Sequence, residues 1–233
     1  MGKSGFELHH WLESGGEMIE LHLGDCLDVM RGMADKSVDF TFIDPPYNVG
    51  KDYGVYKDDL PEDKYFEWCI QWISELKRVS LALAIYPPKI HLLWFWNQLP
   101  DHHQIICAWS PEGAIRSNFV HQYIPLLVPD KPVRRVKDHW WNVQVPGMGY
   151  FYREEQFDHP GQTSLDITGR VLNAFTNEGN TVLDCFMGVG TTGVWCASHN
   201  RNFIGVDNNS SYYAIAERRI YDAAQQPGLF GES

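Results

Sequence analysis

Apolar and polar residues alternate over 19–23, and a nearly unbroken apolar run covers 38–43; both patterns predict β-strands. Segments 81–86, 103–109, 122–128, 181–183 and 202–206 have the same character, and 103–109 with 122–128 reads as an antiparallel pair. Between these strands, apolar residues recur at helical spacing over 26–33, 61–79, 90–99, 163–176, 191–198 and 210–220. The helix over 61–79 starts with Pro61, carries Glu62 and Asp63 early and Lys77 and Arg78 late, a charge order that suits its dipole. Its expected buried face is Phe66, Ile70, Ile73 and Leu76, and Leu92, Leu93 and Trp96 are expected to point inward from 90–99.

Three stretches lack this periodicity. Residues 1–17 are rich in glycine and polar side chains and predict a loosely held N-terminal arm. Residues 48–60 are polar, with Gly50 and Gly54 and the aromatics Tyr53 and Tyr56, and suit a mobile flap. Residues 129–161 gather Lys131, Arg134, Arg135 and Lys137, followed by Trp140, Trp141, Tyr150, Phe151 and Tyr152. Cations interleaved with aromatics suit phosphate contacts and base stacking. The expected organisation is a single domain over 18–222, with 129–161 as its nucleic-acid-facing segment and 223–233 as a tail.

Composition narrows the classes. A chain of 233 residues with 44% hydrophobic and 21% charged residues supports one globular domain with a full core. The net charge of −11 argues against a surface that is basic all over, so a nucleic-acid partner must meet a local patch. Five cysteines without C-x-x-C spacing read as reduced thiols, not as a zinc site or disulfides, and no metal is expected. No signal peptide or membrane-spanning run is seen, which predicts a cytoplasmic protein with no membrane partner.

Candidate chemistry begins where the strand over 38–43 stops, at Asp44-Pro45-Pro46-Tyr47. Two prolines fix φ and remove two backbone donors, so the turn is stiff and lies at a strand's carboxyl end. In open α/β sheets ligands bind at such ends. The exocyclic amine of adenine or cytosine is a poor nucleophile because its lone pair is delocalised into the ring. Asp44 and the Pro45 carbonyl can accept its two hydrogens and free that lone pair, while Tyr47 stacks on the base. What remains is placing a methyl donor in line with the nitrogen. A base in a duplex is out of reach, so the target must be flipped out or single-stranded.

A second constellation follows the strand over 181–183. Gly188-Val189-Gly190-Thr191-Thr192-Gly193 is a G-x-G-x-x-G loop that opens a helix, and the next strand ends at Asp207. Glycines let the backbone approach a nucleotide, and the acid grips ribose hydroxyls. Asp184, just before the loop, would repel a dinucleotide's pyrophosphate and welcome a cationic sulfonium with an α-amino group. This weighs against a nicotinamide dehydrogenase, and the missing G-x-x-x-x-G-K pattern leaves a phosphate-cradling NTPase unsupported.

The order of the two motifs, Asp44–Tyr47 before the glycine loop, resembles the β class of amino-methylating DNA methyltransferases, which depend on S-adenosylmethionine. The resemblance covers roughly 19–220 and implies an α/β fold: a doubly wound, mostly parallel seven-stranded sheet with permuted motif order. It implies that Asp44, Pro45, Pro46 and Tyr47 act on the base. It also implies that Asp184, Phe186, Gly188 and Gly190 line the methionine end of the cofactor, that Thr191 sits at the helix start, that Asp207 holds the ribose, and that Asp25 contacts the adenine side. Lys131, Arg134, Arg135 and Lys137 are the expected DNA contacts. Cys185 stands where the family usually has Pro, and Thr163-Ser164 where Lys-Pro is common.

The resulting expectation is methyl transfer to the N6 amine of adenine in DNA, since family members acting on cytosine N4 more often have Ser in place of the leading Asp. Cytosine N4, an RNA or protein amine, and an inactive DNA-binding module are the rival readings, and a second copy of the chain is a candidate partner.

Overall fold

A single nine-stranded sheet runs through the computed structural model, which describes residues 7–14, 17–52, 58–99, 103–116, 119–140 and 162–225. In chain order the elements are β1 (Glu7–Ser14), β2 (Glu17–Leu23), α1 (Cys26–Gly32), β3 (Val38–Ile43), α2 (Glu62–Val79) and β4 (Ser80–Ile85). A 3₁₀ turn (Lys89–His91), α3 (Leu92–Gln98), β5 (His103–Arg116), β6 (Phe119–Pro129) and β7 (His139–Trp140) follow. The chain then forms α4 (Leu165–Phe175), β8 (Thr181–Asp184), α5 (Thr191–Ser198), β9 (Asn202–Asp207) and α6 (Ser210–Ala224).

The strands lie in the order β1-β2-β9-β8-β3-β4-β6-β5-β7, and the centre from β2 to β4 is parallel. Parallel strands need covering on both faces, which is why their sequences read as continuous apolar runs. Val182 packs into a layer with Val171, Val194 and Ile220 of α4, α5 and α6, while its neighbour Leu183 packs into a layer with Met30, Leu76 and Phe95 of α1, α2 and α3. From β3 the chain crosses through α2 to β4 on one side; from β8 it crosses through α5 to β9 on the other. The winding therefore reverses between β3 and β8. A crevice lies at the carboxyl ends of the two strands there.

The close approach of α5 to the sheet depends on missing side chains. A Cβ on Gly193 would stand 2.4 Å from Ile220 Cδ1 and 2.6 Å from Phe203 Cε1, and one on Gly205 would stand 2.5 Å from Met187 Sδ. All of α5 is buried, so the helix is a core element and not an amphipathic surface one.

Several expectations need correction. The arm expected over 1–17 includes a strand, β1, antiparallel to β2 from Glu7↔Leu23 to Ser14↔Glu17; cross-strand backbone bonding orders a segment whose side-chain pattern is weak. With β7, paired to β5 inside the expected DNA segment, this raises the strand count from seven to nine. On α2 the buried stripe is Tyr65, Cys69, Trp72, Ile73, Leu76 and Val79, whereas Ile70 is 51% exposed. That stripe follows i, i+4, i+7 spacing once Cys69 is counted as apolar. On α3, Phe95 is buried while Leu93 and Trp96 face outward. Helix α6 runs to Ala224, with Ala223 and Ala224 buried, so the expected tail at 223 begins inside a helix.

Candidate active site at the reversal of strand order

Three carboxylates converge at the crevice because three parallel strands end there. Asp184 closes β8, Asp207 closes β9, and Asp44 follows β3 directly. They line one cavity of about 350 Å³, together with Asp25, Pro45, Pro46, Tyr47, Lys51, Trp68, Tyr86, Thr163, Phe186, Gly188 and Thr191. Of the residues expected to act on the base or hold the cofactor, all but Gly190 line this cavity. Gly190 lies behind it, at φ +81° as the N-cap of α5, where a Cβ would stand 2.8 Å from Ala216 Cβ. Its role is to let the loop turn left-handed against α6.

The glycine loop is bonded mostly through its backbone. Asp184 Oδ1 accepts from the Phe186 amide at 3.1 Å, and Oδ2 accepts from the Thr192 hydroxyl at 2.6 Å. Asp207 Oδ2 accepts from the Gly188 amide at 2.9 Å and Oδ1 from the Asn209 amide at 2.8 Å. The Met187 amide donates to the Val206 carbonyl, and the Gly24 amide donates to the Asp207 carbonyl, so loops after β2, β8 and β9 are tied together. Asp25 accepts from the Leu27 amide at 2.8 Å as the N-cap of α1.

The proline turn is held differently, by side chains from distant segments. Buried Tyr65 on α2 donates its hydroxyl to the Pro46 carbonyl at 2.9 Å. The Tyr86 amide donates to the Ile43 carbonyl at 2.8 Å. Thr163 Oγ1 donates to Asp44 Oδ2 at 3.0 Å. Tyr47 meets the Tyr86 ring edge-on, and Lys51 Nζ lies 5.4 Å from the Tyr47 ring centre.

Beyond the turn, Asn48 and Asp58 form a clasp. Asp58, almost fully buried, accepts from the Asn48 amide at 2.6 Å and the Val49 amide at 2.9 Å, while the Asn48 side chain exchanges two bonds of 2.8 Å with the Leu60 backbone. The described ends of the segment expected to be a flap are therefore pinned together; 53–57 lie outside the described residues. Asn48 and Asp58 were missed as site-shaping residues. The signal available was Asn directly after Pro-Pro-Tyr, a residue that tolerates the φ of +56° found there.

Burial sets the electrostatics. It pushes the Asp44 carboxyl up to about 6, against hydrogen bonds from Tyr47 and Thr163 and the charge of Lys51, which pull it down. Asp184 is pushed up to about 7, by burial first and then by the negative charges of Asp44 and Asp207. Burial likewise raises Asp207 to about 6. A cavity holding three carboxyl groups with raised pKa values favours an occupant that brings positive charge.

The basic segment divides. Arg134 donates to the Asn173 and Thr176 carbonyls at 2.6 and 2.7 Å, so its guanidinium caps the C-terminus of α4 and is committed there. All four cations are exposed; Lys131, Arg135 and Lys137 are the ones without a bond to the α4 carbonyls. Trp140 is buried on β7, whereas Trp141, Tyr150, Phe151 and Tyr152 lie outside the described residues.

The model of a DNA methylase family, the N6/N4 methylases, matches residues 38–85 and 119–218. The chain belongs to that family. Its methyl donor is S-adenosylmethionine, and the acidic cavity and glycine turn of this DNA methylase suit that cation. The DNA adenine methyltransferase YhdJ of Escherichia coli (strain K12) is 24% identical over 250 residues, covering 88% of this chain and 84% of YhdJ. Among solved structures, the M1.HpyAVI–SAM complex superposes with a TM-score of 0.67 at 22% identity, covering 87% of this chain and 99% of the other. The PvuII DNA methyltransferase, described as cytosine-N4-specific, also gives 0.67, at 14% identity, covering 92% and 94%. No helix among the described residues is long and apolar enough to cross a membrane.

Proposed function

We propose that this DNA methylase transfers the methyl group of S-adenosylmethionine to the N6 amine of adenine in DNA. The observation that carries the reading is the meeting of Asp44, on its proline turn, with Asp184 and Asp207 in one cavity at the strand-order reversal. When bound, the cofactor supplies an electrophilic methyl carbon on a cationic sulfonium.

The chain's own residues do the rest. Asp184 holds the cofactor's ammonium group, with the Phe186 amide and Thr192 hydroxyl keeping its carboxylate in place. Asp207, fixed by two amides, accepts ribose hydroxyls through its remaining lone pairs. Asp25 faces the adenine side of the cavity, and Phe186 supplies an apolar wall that excludes water.

At the target base, Asp44 and the Pro45 carbonyl accept the two amine hydrogens. The Tyr65 hydroxyl occupies the Pro46 carbonyl instead, and among the described residues none donates to the Pro45 carbonyl. Drawing both hydrogens toward acceptors makes the nitrogen pyramidal, so its lone pair points out of the ring plane and toward the methyl carbon. With the cofactor held by Asp184 and Asp207, that lone pair would take up the methyl group, and the sulfur would keep the electron pair of the bond it gives up. One amine proton then leaves, and Asp44, with a carboxyl near neutrality, is matched to accept it. Tyr47 stacks on the flipped base, and Lys131, Arg135 and Lys137 meet phosphates.

Adenine is favoured over cytosine by the leading Asp of the turn. The test is digestion to nucleosides after reaction of unmethylated duplex DNA with methyl-labelled cofactor. Label in N6-methyladenosine is expected. Label in N4-methylcytidine would keep the mechanism and overturn the base, and no label in DNA would overturn the reading.

A further inference from the structure

Thr163 reaches the reacting carboxylate from 119 positions along the chain, with its hydroxyl 3.0 Å from Asp44 Oδ2. Its neighbour Ser164 caps α4, accepting from the Ile167 amide, and the Thr168 amide donates to the Ser164 carbonyl. Thr163 thus lies directly before the N-cap of an anchored helix, whose Ile167, Val171 and Leu172 are buried in the core. Among the described residues, none of the hydrogen bonds that hold the glycine loop involves Thr163.

We infer that Thr163 is a positioning residue for methyl transfer. It donates to Asp44 Oδ2 from a separately anchored segment and so fixes the direction in which the carboxylate meets the target amine. The inference rests on the proposed role of Asp44. The groups facing that carboxylate are Tyr47 on its own turn, Thr163 before α4, Lys51 beyond the turn, Tyr86 after β4 and Asp184 at the end of β8. Tyr47, Thr163 and Lys51 favour the ionised form; Asp184, when charged, opposes it, and Tyr86 stays neutral because burial raises its pKa. Of the three favourable partners, Thr163 is the one that comes from outside the segment between β3 and α2, so it sets direction as well as charge.

A hydrogen bond to the charged form lowers a carboxyl pKa, so losing it raises the pKa. Thr163→Val keeps the branched shape and removes the donor; Thr163→Ser keeps the donor. The experiment measures kcat against pH for wild type and both variants, cofactor affinity by calorimetry, and the Asp44 carboxyl titration by carbon NMR without DNA, assigned by its loss in Asp44→Asn. Expected in Thr163→Val are an Asp44 titration and an acid limb of kcat that both move up by about one pH unit, a fall in kcat of about tenfold near the wild-type acid limb, and unchanged cofactor affinity. Thr163→Ser is expected to restore the wild-type profile. If Thr163→Val fails to fold, Thr163→Ala is measured the same way.

A Val or Ala variant with an unshifted Asp44 titration overturns the inference, as does a loss of cofactor affinity equal to the loss of rate. Wild-type turnover on DNA in the same assay tests the underlying function separately. The NMR titration is read without turnover, so failure of one is distinguishable from failure of the other.

Discussion

The two turns that build the site solve opposite problems. The proline turn after β3 is stiff covalently and sparsely bonded by its own backbone; its carboxylate is aimed by Thr163, and the turn is steadied by Tyr65, both from remote elements. The glycine loop after β8 is covalently loose and is fixed by local amides, by Gly190 at φ +81°, and by a packing clearance that admits no Cβ at Gly193. A reacting group needs a direction, which side chains from several layers can supply. A ligand cradle needs close approach, which only an absence of side chains can supply.

This contrast can be broken most sharply at Asp44. Asp44→Ala is expected to lower kcat for methyl transfer by about 10²–10⁴-fold while leaving cofactor affinity nearly unchanged. Calorimetry and single-turnover kinetics check both halves; a parallel loss of affinity would merge the two turns into one functional unit.

The next effect falls on the loop's packing. Gly193→Ala places a methyl group 2.4 Å from Ile220 Cδ1 and 2.6 Å from Phe203. Overpacking of this kind costs about 1–3 kcal/mol, so thermal unfolding should begin several degrees lower. A Gly193→Ala protein as stable as wild type would show that α5 can shift away from the sheet.

The pH dependence separates the two turns more finely. Asp184 has a folded pKa of about 7, above its unfolded value, so in the ligand-free protein its contribution to stability is complete below the unfolded value and is lost as pH rises through about 7. Asp44 and Asp207 follow the same sign, with the loss building up from the unfolded carboxyl range and complete above about 6. A cationic cofactor reverses the preference of Asp184. Its affinity should rise with pH through about 7, with proton release on binding, which calorimetry in two buffers of different ionisation enthalpy measures. Asp184→Asn should remove most of that release, whereas Asp44→Asn should remove less.

The smallest effects concern the basic segment. Lys131→Ala, Arg135→Ala and Lys137→Ala should each reduce the salt slope of DNA binding by about one. Arg134→Ala should leave that slope unchanged and instead lower stability by about 1–3 kcal/mol, because it uncovers the carbonyls at the end of α4. Equal slopes for all four variants would restore Arg134 to the DNA-facing set.

Much of this was legible before any tertiary contact was known. Asp44-Pro45-Pro46-Tyr47 announces itself because prolines end a strand in only a few ways, and the glycine loop because Asp184 and Asp207 flank it at strand ends. Ile70 and Leu93 were misjudged as buried because hydrophobicity ranks residues but does not say which face of a helix meets the sheet; Cys69 and Phe95 hold those places. The strand β1 was missed because edge pairing is a backbone property that leaves a faint side-chain pattern. Arg134 looked like its basic neighbours, since charge is visible in a sequence and a carbonyl 39 positions away is not.

The sequence by itself determined the local devices: where strands stop, which turns are stiff, which are open to a ligand, and which carboxylates sit at strand ends. These follow from φ restriction, missing donors and missing Cβ atoms, properties a residue carries wherever it is placed. Only the tertiary structure decided that β3 and β8 lie side by side at the reversal of winding. That adjacency brings Asp44 and Asp184 into one buried cavity and raises both pKa values, and the return of α4 beside it puts the Thr163 hydroxyl on Asp44. Those effects depend on distance and burial between segments more than a hundred residues apart, which become neighbours only when the sheet closes around its parallel core.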